Sequence, residues 1–177
     1  MRSIVRWEKH EEPEMPLDLA MAVRKTDCAA GAVANLSALT EPVPIVFVVD
    51  DDVSVRESLE GLVAEAGWRP LAFASAGAFL AHPPVAGPTC LILDVNLPDI
   101  TGLDLQGRIS DRTDMPVIFI SGFGDIPMTV RAMRAGAVEF LTKPFDEAAL
   151  LAAIGQAISR SHAALDREAD LHALRKI

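Results

Sequence analysis

The chain has 177 residues, 50% hydrophobic, 23% charged and only 5% aromatic, which suits one globular domain of about 100 to 150 residues with appendages and excludes a fully disordered or fibrous chain. Its 25 Asp+Glu against 16 Lys+Arg give a formal net charge of −9, so the chain as a whole would repel a phosphate backbone. Cys28 and Cys90 are too few and too far apart for a disulfide framework or a zinc cluster, and Cys90 reads as a small buried hydrophobe. No apolar run reaches the ~18 to 20 residues of a membrane helix, and Glu8, Lys9, Glu11, Glu12 and Glu14 interrupt the place where a signal peptide needs its apolar stretch. A cytoplasmic protein without membrane contact is expected.

Residues 1–43 hold a short helical candidate at 17–24 and a small-residue stretch at 29–39 among Pro16, Pro42 and Pro44, which reads as a weakly ordered extension. From Pro44 the pattern changes. Short apolar runs at 45–49, 69–73, 90–93, 117–120 and 138–141 alternate with amphipathic segments at 53–66, 76–80, 102–110 and 127–135, and a long helix begins at Asp146. Gly67 and Gly136 close two of these helices. Apolar runs without polar alternation read as strands buried on both faces, and helices between them make a parallel sheet the natural solution. Five βα units in residues 44–162 mean a small doubly wound α/β domain. Residues 163–177 stay helix-compatible, with Leu165, Leu171 and Leu174 near helical spacing.

In an open parallel sheet, ligands bind outside the carboxyl ends of the strands. Asp50, Asp51 and Asp52 follow the first run, Asp94 the third, Ser121 the fourth and Lys143-Pro144 the fifth. If the strand order is 2-1-3-4-5, these four strands are neighbours and their polar ends converge on one pocket. Three crowded carboxylates repel one another unless a cation is bound, and hard oxygen donors favour Mg²⁺. An ammonium and a hydroxyl beside them supply the positive charge and the hydrogen-bond donor that a phosphoryl group requires. The central carboxylate, Asp94, can itself be the nucleophile and form an aspartyl phosphate. Asp52 reads instead as a helix cap, with Ser54 and Glu57 as an alternative capping box.

The segments VVDDDVSVRESL, LILDVNLPDITG, VIFISGFGDIPMTVRAMRAGAVEFL and TKPF resemble the receiver domain of two-component response regulators, with GDIPMTVRAMRAGAVEFLTKPF pointing to the FixJ-like branch. That resemblance covers residues 44–162. It implies a flavodoxin-like five-stranded sheet in the order 2-1-3-4-5, with helices on both faces. Asp94 would be the phosphoacceptor, and Asp51, Asp94 and the backbone carbonyl of Asn96 would be Mg²⁺ ligands, with Asp50 acting largely through metal-bound water. It implies that Lys143 binds the phosphate beside a cis Lys143-Pro144 bond, and that Ser121 and Phe140 form the switch. The partner implied is a sensor histidine kinase, with a phosphorylation-dependent homodimer on the face of the fourth helix, fifth strand and fifth helix. Met128, Val130 and Met133 are expected at that surface among Arg131 and Arg134. The chain would act as a phosphoacceptor that catalyses its own Mg²⁺-dependent phosphorylation and dephosphorylation, rather than as an enzyme acting on other molecules.

A haloacid-dehalogenase-like phosphatase uses nearly the same groups, but its first strand ends in Asp-x-Asp-Gly-Thr, whereas Val53-Ser54 follows the acidic run here. The other alternative is a stand-alone regulator or interaction module acting by protein contact. FixJ-like regulators usually continue into a DNA-binding domain, and residues 163–177 read either as a frayed helix end or as the start of such a linker. From Pro44 to Ala163 there are 15 acidic and 8 basic residues, so DNA binding by this chain alone is not expected. His10, His82, His162 and His172 show no metal-ligand pairing and read as surface residues.

Overall fold

The computed structural model describes residues 41–176; the helical candidate at 17–24, Cys28 and His10 lie outside them. Their order is β1 (Ile45–Val49), α1 (Val53–Glu65), β2 (Arg69–Phe73), α2 (Ala76–Leu80), β3 (Thr89–Asp94), α3 (Gly102–Arg108), β4 (Val117–Ser121), α4 (Ile126–Arg134), β5 (Glu139–Thr142) and α5 (Glu147–Leu174). The strands form one sheet in the order β2-β1-β3-β4-β5, and every pairing is parallel.

Strict alternation along each central strand divides the core into two layers. Phe47, Leu91, Leu93 and Phe119 face one side, where Phe79 of α2, Leu105 of α3 and Ala132 of α4 cover them. Val46, Val48, Ile92 and Ile118 face the other, under Leu59 and Val63 of α1 and Leu150 and Ile154 of α5. Cys90 belongs to this second layer as a free, buried thiol whose pKa burial pushes up. Because β1, β3 and β4 are buried along their whole length, their sequences carry no polar alternation.

Local signals set the helix ends. The Asp52 carboxylate caps α1 by accepting the Ser54 N–H at 2.8 Å, so the capping reading of Asp52 holds. Gly67 and Gly136 take positive φ (89° and 93°) just past α1 and α4. There the N–H of Gly136 reaches the Met133 carbonyl and that of Ala137 reaches Ala132, the paired bonds of a Schellman ending. β5 lies one residue later than the apolar run predicts: Val138 packs into the second core layer and donates its N–H to the Val117 carbonyl at 2.7 Å, and residue pairing begins at Glu139 opposite Ile118.

α5 runs unbroken for 28 residues, about 42 Å at 1.5 Å per residue, but its buried face ends at Ala164. Ser161, fully buried, anchors it: its Oγ donates to the Asp114 carbonyl and accepts the Thr89 N–H at 2.9 Å. His82 is half-buried rather than on the surface, because its ring packs edge-on against Phe47 and Phe73 at 5.8 and 5.4 Å. Among the described residues no helix is long and apolar enough to cross a membrane.

Candidate functional site

Parallel strands end together, so their last residues meet at one edge. Asp50 follows β1, Asp94 ends β3, Ser121 ends β4, and Lys143 follows β5, with Asp94 in register with Ile120 and Ser121 with Thr142. Asp50 and Ser121 are fully buried, and Asp94 retains 6% exposure. Lys143 Nζ donates to Asp50 Oδ2 at 2.6 Å and to Asp94 Oδ2 at 2.9 Å, joining residues 93 and 49 positions away in sequence. The second oxygen of each carboxylate accepts a backbone N–H, from Asp52 onto Asp50 at 2.9 Å and from Asn96 onto Asp94 at 3.0 Å. Arg56, which the sequence reading passed over, donates to the Asp50 carbonyl at 2.7 Å and steadies the start of this loop.

The charges are poised against one another. Burial raises the pKa of Asp50, and the Lys143 hydrogen bond opposes that rise. For Lys143, burial alone would disfavour the ammonium, but its hydrogen bonds to Asp50 and Asp94 outweigh this and raise its pKa. The raised value keeps Lys143 charged. Asp51 stands exposed at the rim, and one oxygen from each of Asp50, Asp51 and Asp94 lies within 4.8 Å of the others. Three hard oxygen donors, two of them buried, fit a small divalent cation such as Mg²⁺, which takes few carboxylates and fills its remaining positions with water or phosphate oxygens.

The Ser121 hydroxyl is engaged in its own loop, donating to the Phe123 carbonyl at 2.8 Å and accepting the Phe123 N–H at 3.1 Å. That loop rests on Phe140. A Cβ on Gly124 would sit 3.0 Å from Phe140 Cε1 and 2.9 Å from Thr142 Cγ2, so only glycine permits this approach. Phe140 is partly buried, with its ring centroid 6.1 Å from that of Phe119. Ser121, its loop and Phe140 thus form one contiguous packing unit beside Asp94. The Lys143-Pro144 bond is cis, as expected.

Two further positions were not singled out in the sequence. Gly102 opens α3 so close to β3 that an added Cβ would meet the Asp94 carbonyl at 2.4 Å. Asp99 caps a helix remote in sequence, accepting the Gly77 N–H at 2.7 Å and the Ala76 N–H at 3.2 Å. These bonds, led by that of Gly77, hold its carboxyl below the usual carboxylate range. Together they fix the loop that follows Asp94. A glycine eight residues after Asp94 is a weak signal by itself, and nothing in the sequence pairs Asp99 with α2.

A doubly wound 2-1-3-4-5 sheet with an acidic cluster and a lysine at its carboxyl edge defines a receiver-type phosphoacceptor fold. The sequence matches the response regulator receiver domain over residues 46–155, and the chain belongs to that family. It is 48% identical over 115 residues to the response regulator protein TmoT of Ectopseudomonas mendocina, covering 64% of this chain and 52% of that protein. It is 42% identical over 124 residues to the transcriptional regulatory protein FixJ of Azorhizobium caulinodans, covering 70% and 58%. The structure of the response regulator StyR superposes with a TM-score of 0.71 at 43% identity, over 76% of this chain and 69% of that one. These relatives belong with the FixJ-like branch that the switch segment suggests. The chain spans about half the length of the curated relatives it matches.

Proposed function

We propose that Asp94 accepts a phosphoryl group from a phosphohistidine on a sensor histidine kinase. The observation that carries this reading is the Lys143 bridge, which fixes the Asp94 carboxylate at the carboxyl edge beside Asp50 and Asp51. An Asp94 oxygen attacks phosphorus as the P–N bond to the histidine breaks, and the imidazole leaves with the bonding pair. Lys143 then offers its ammonium to a phosphoryl oxygen. Asp50, Asp51, Asp94 and the Asn96 carbonyl would hold a Mg²⁺ ion, whose charge offsets that of the phosphoryl oxygens. With these groups in place the chain catalyses its own phosphorylation and dephosphorylation.

The phosphoryl group adds roughly −1.5 to −2 charges and three acceptor oxygens. It competes with Phe123 for the Ser121 hydroxyl, and release of that loop frees Phe140, on which Gly124 rests. The change reaches the surface of α4 and β5, where Val130 and Met133 stand about 40% exposed and suit a phosphorylation-dependent homodimer. Met128 contributes less than its sequence position implies, since it packs partly into the core.

Residues 44–162 form the receiver, 1–43 a weakly ordered extension, and 163–177 a helical tail or the start of a linker. The chain acts in the cytoplasm and itself does not bind DNA, and its similarity to the transcriptional regulatory protein FixJ supports a role in transcription regulation. Incubation with Mg²⁺ and a small phosphodonor should add the mass of one phosphoryl group, as hydroxylamine-sensitive phosphate. Asp94→Asn should abolish the gain, and wild-type labelling of that variant would overturn the assignment.

A further inference from the structure

The three aspartates of the acidic cluster are not held alike. Asp50 is tied at every polar atom: its N–H donates to the Phe73 carbonyl at 3.2 Å, Oδ1 accepts the Asp52 N–H at 2.9 Å, Oδ2 accepts Lys143 Nζ at 2.6 Å, and its carbonyl accepts Arg56 Nη1 at 2.7 Å. Asp94 is tied by Lys143 and by the Asn96 N–H. Asp51 is exposed, and among the described residues its carboxylate forms no ion pair. A side chain with so little to hold it takes its aim from its backbone.

The two peptide units that flank Asp51 are both pinned. Arg56 fixes the carbonyl oxygen of the Asp50–Asp51 peptide, and because that unit is planar it also fixes the Asp51 nitrogen and Cα. The Asp51–Asp52 peptide is fixed through its N–H, which Asp50 Oδ1 accepts. Arg56 closes the turn at both of its own ends, since its backbone N–H donates to the Asp52 carbonyl at 3.1 Å while its side chain reaches back six positions from α1. The side chain is half-buried and, among the described residues, pairs with no carboxylate. Its short bond goes to a carbonyl instead, which leaves the oxygens of the cluster to a cation.

We infer that Arg56 is a positioning residue for the divalent cation: by locking the Asp50–Asp51 peptide it aims the Asp51 carboxylate at the space that Asp50 and Asp94 share. The inference rests on the reading of Asp50, Asp51 and Asp94 as metal ligands. Simple electrostatics gives the opposite sign, because a guanidinium beside a cation site repels the cation and deleting its charge would tighten binding. Loss of an outer partner that orients a metal ligand weakens binding by about 10- to 100-fold. The direction of the change therefore separates a positioning role from a mere neighbouring charge.

Calorimetric titration of the whole chain with magnesium chloride tests the assignment. Arg56→Met keeps the apolar stem and removes the donor, and it should bind Mg²⁺ at least about tenfold more weakly than the wild type. Arg56→Lys restores a charged donor on a flexible stem and should recover part of that loss. Binding by Arg56→Met as tight as the wild type or tighter would overturn the positioning role, and so would an Arg56→Lys variant no better than Arg56→Met. Asp51→Ala, titrated alongside, shows which reading has failed. If the wild type does not bind Mg²⁺, or Asp51→Ala binds as the wild type does, the metal site falls and the role of Arg56 with it; if Asp51→Ala is weakened and Arg56→Met is not, only the role of Arg56 falls. Circular dichroism of each metal-free variant separates a lost site from a lost fold.

Discussion

The two anchoring points of the sheet solve the same problem in opposite ways. At its carboxyl edge, Asp50 and Asp94 are buried as charges and share one lysine. At its amino edge, Thr89 and Ser161 are equally buried, but they are neutral and satisfied by each other and by the Asp114 carbonyl. Neutral hydrogen bonds hold α5 against the sheet with no need of a further partner. Buried like charges do not reach that balance, and the carboxyl edge remains ready to take a cation and an anionic group.

The sharpest way to break this contrast is Lys143→Ala. Removing the lysine leaves Asp50 and Asp94 facing one another, and the metal-free protein should lose about 2 kcal/mol, less than the ~3–5 of a fully buried pair because the lysine side chain keeps 21% exposure. Mg²⁺ should then raise the melting temperature of the variant more than that of the wild type; an equal rise would show that the carboxylates do not depend on the lysine. Next in size, Asp51→Ala should weaken Mg²⁺ binding by at least about tenfold, a 1.4 kcal/mol effect, with little change in stability. Asp52→Ala should do the reverse, costing about 1 kcal/mol of stability through the lost cap while leaving the Mg²⁺ titration unmoved.

At the amino edge, Ser161→Ala should cost about 1 kcal/mol in urea unfolding, since it orphans the buried Thr89 N–H, and should leave phosphorylation unchanged. A change in phosphorylation rate would mean that the two edges are coupled. The smallest effect belongs to Asp99. Its lowered pKa means that it stabilises the fold above the unfolded carboxylate value of about 3.9 and that this contribution is lost as pH falls through the still lower folded value. Asp99→Asn should therefore lower stability slightly at neutral pH and converge with the wild type as pH falls below about 4, which flattens the acid limb of the stability profile; equal neutral-pH stability of the two would show that the cap contributes nothing.

Much of the fold was legible because it is written in local chemistry. Apolar runs marked β1 and β3, Gly136 marked the end of α4, and Asp52 marked the start of α1. The site was legible for a related reason: strand-ending residues of a parallel sheet must share an edge, so the spacing alone gathers Asp50, Asp94, Ser121 and Lys143. Where position relative to a remote element decides the outcome, the sequence is silent. Met128 has the helical spacing of a surface residue, yet it packs partly against the first core layer. His82 is a polar ring beside two prolines, yet it packs edge-on against Phe47 and Phe73.

The sequence by itself determined the order of the elements, the parallel sheet and the set of chemical groups at its carboxyl edge, because periodicity, caps and strand ends act over a few residues. Only the tertiary structure decided which oxygen meets which donor: that Lys143 spans both Asp50 and Asp94, that Ser121 is held by its own loop, that Gly124 bears on Phe140, and that Asp99 caps α2. Those contacts join residues brought together by packing of the whole sheet and its helices, and hydrogen bonds that succeed or fail over a few tenths of an ångström have no counterpart in sequence spacing.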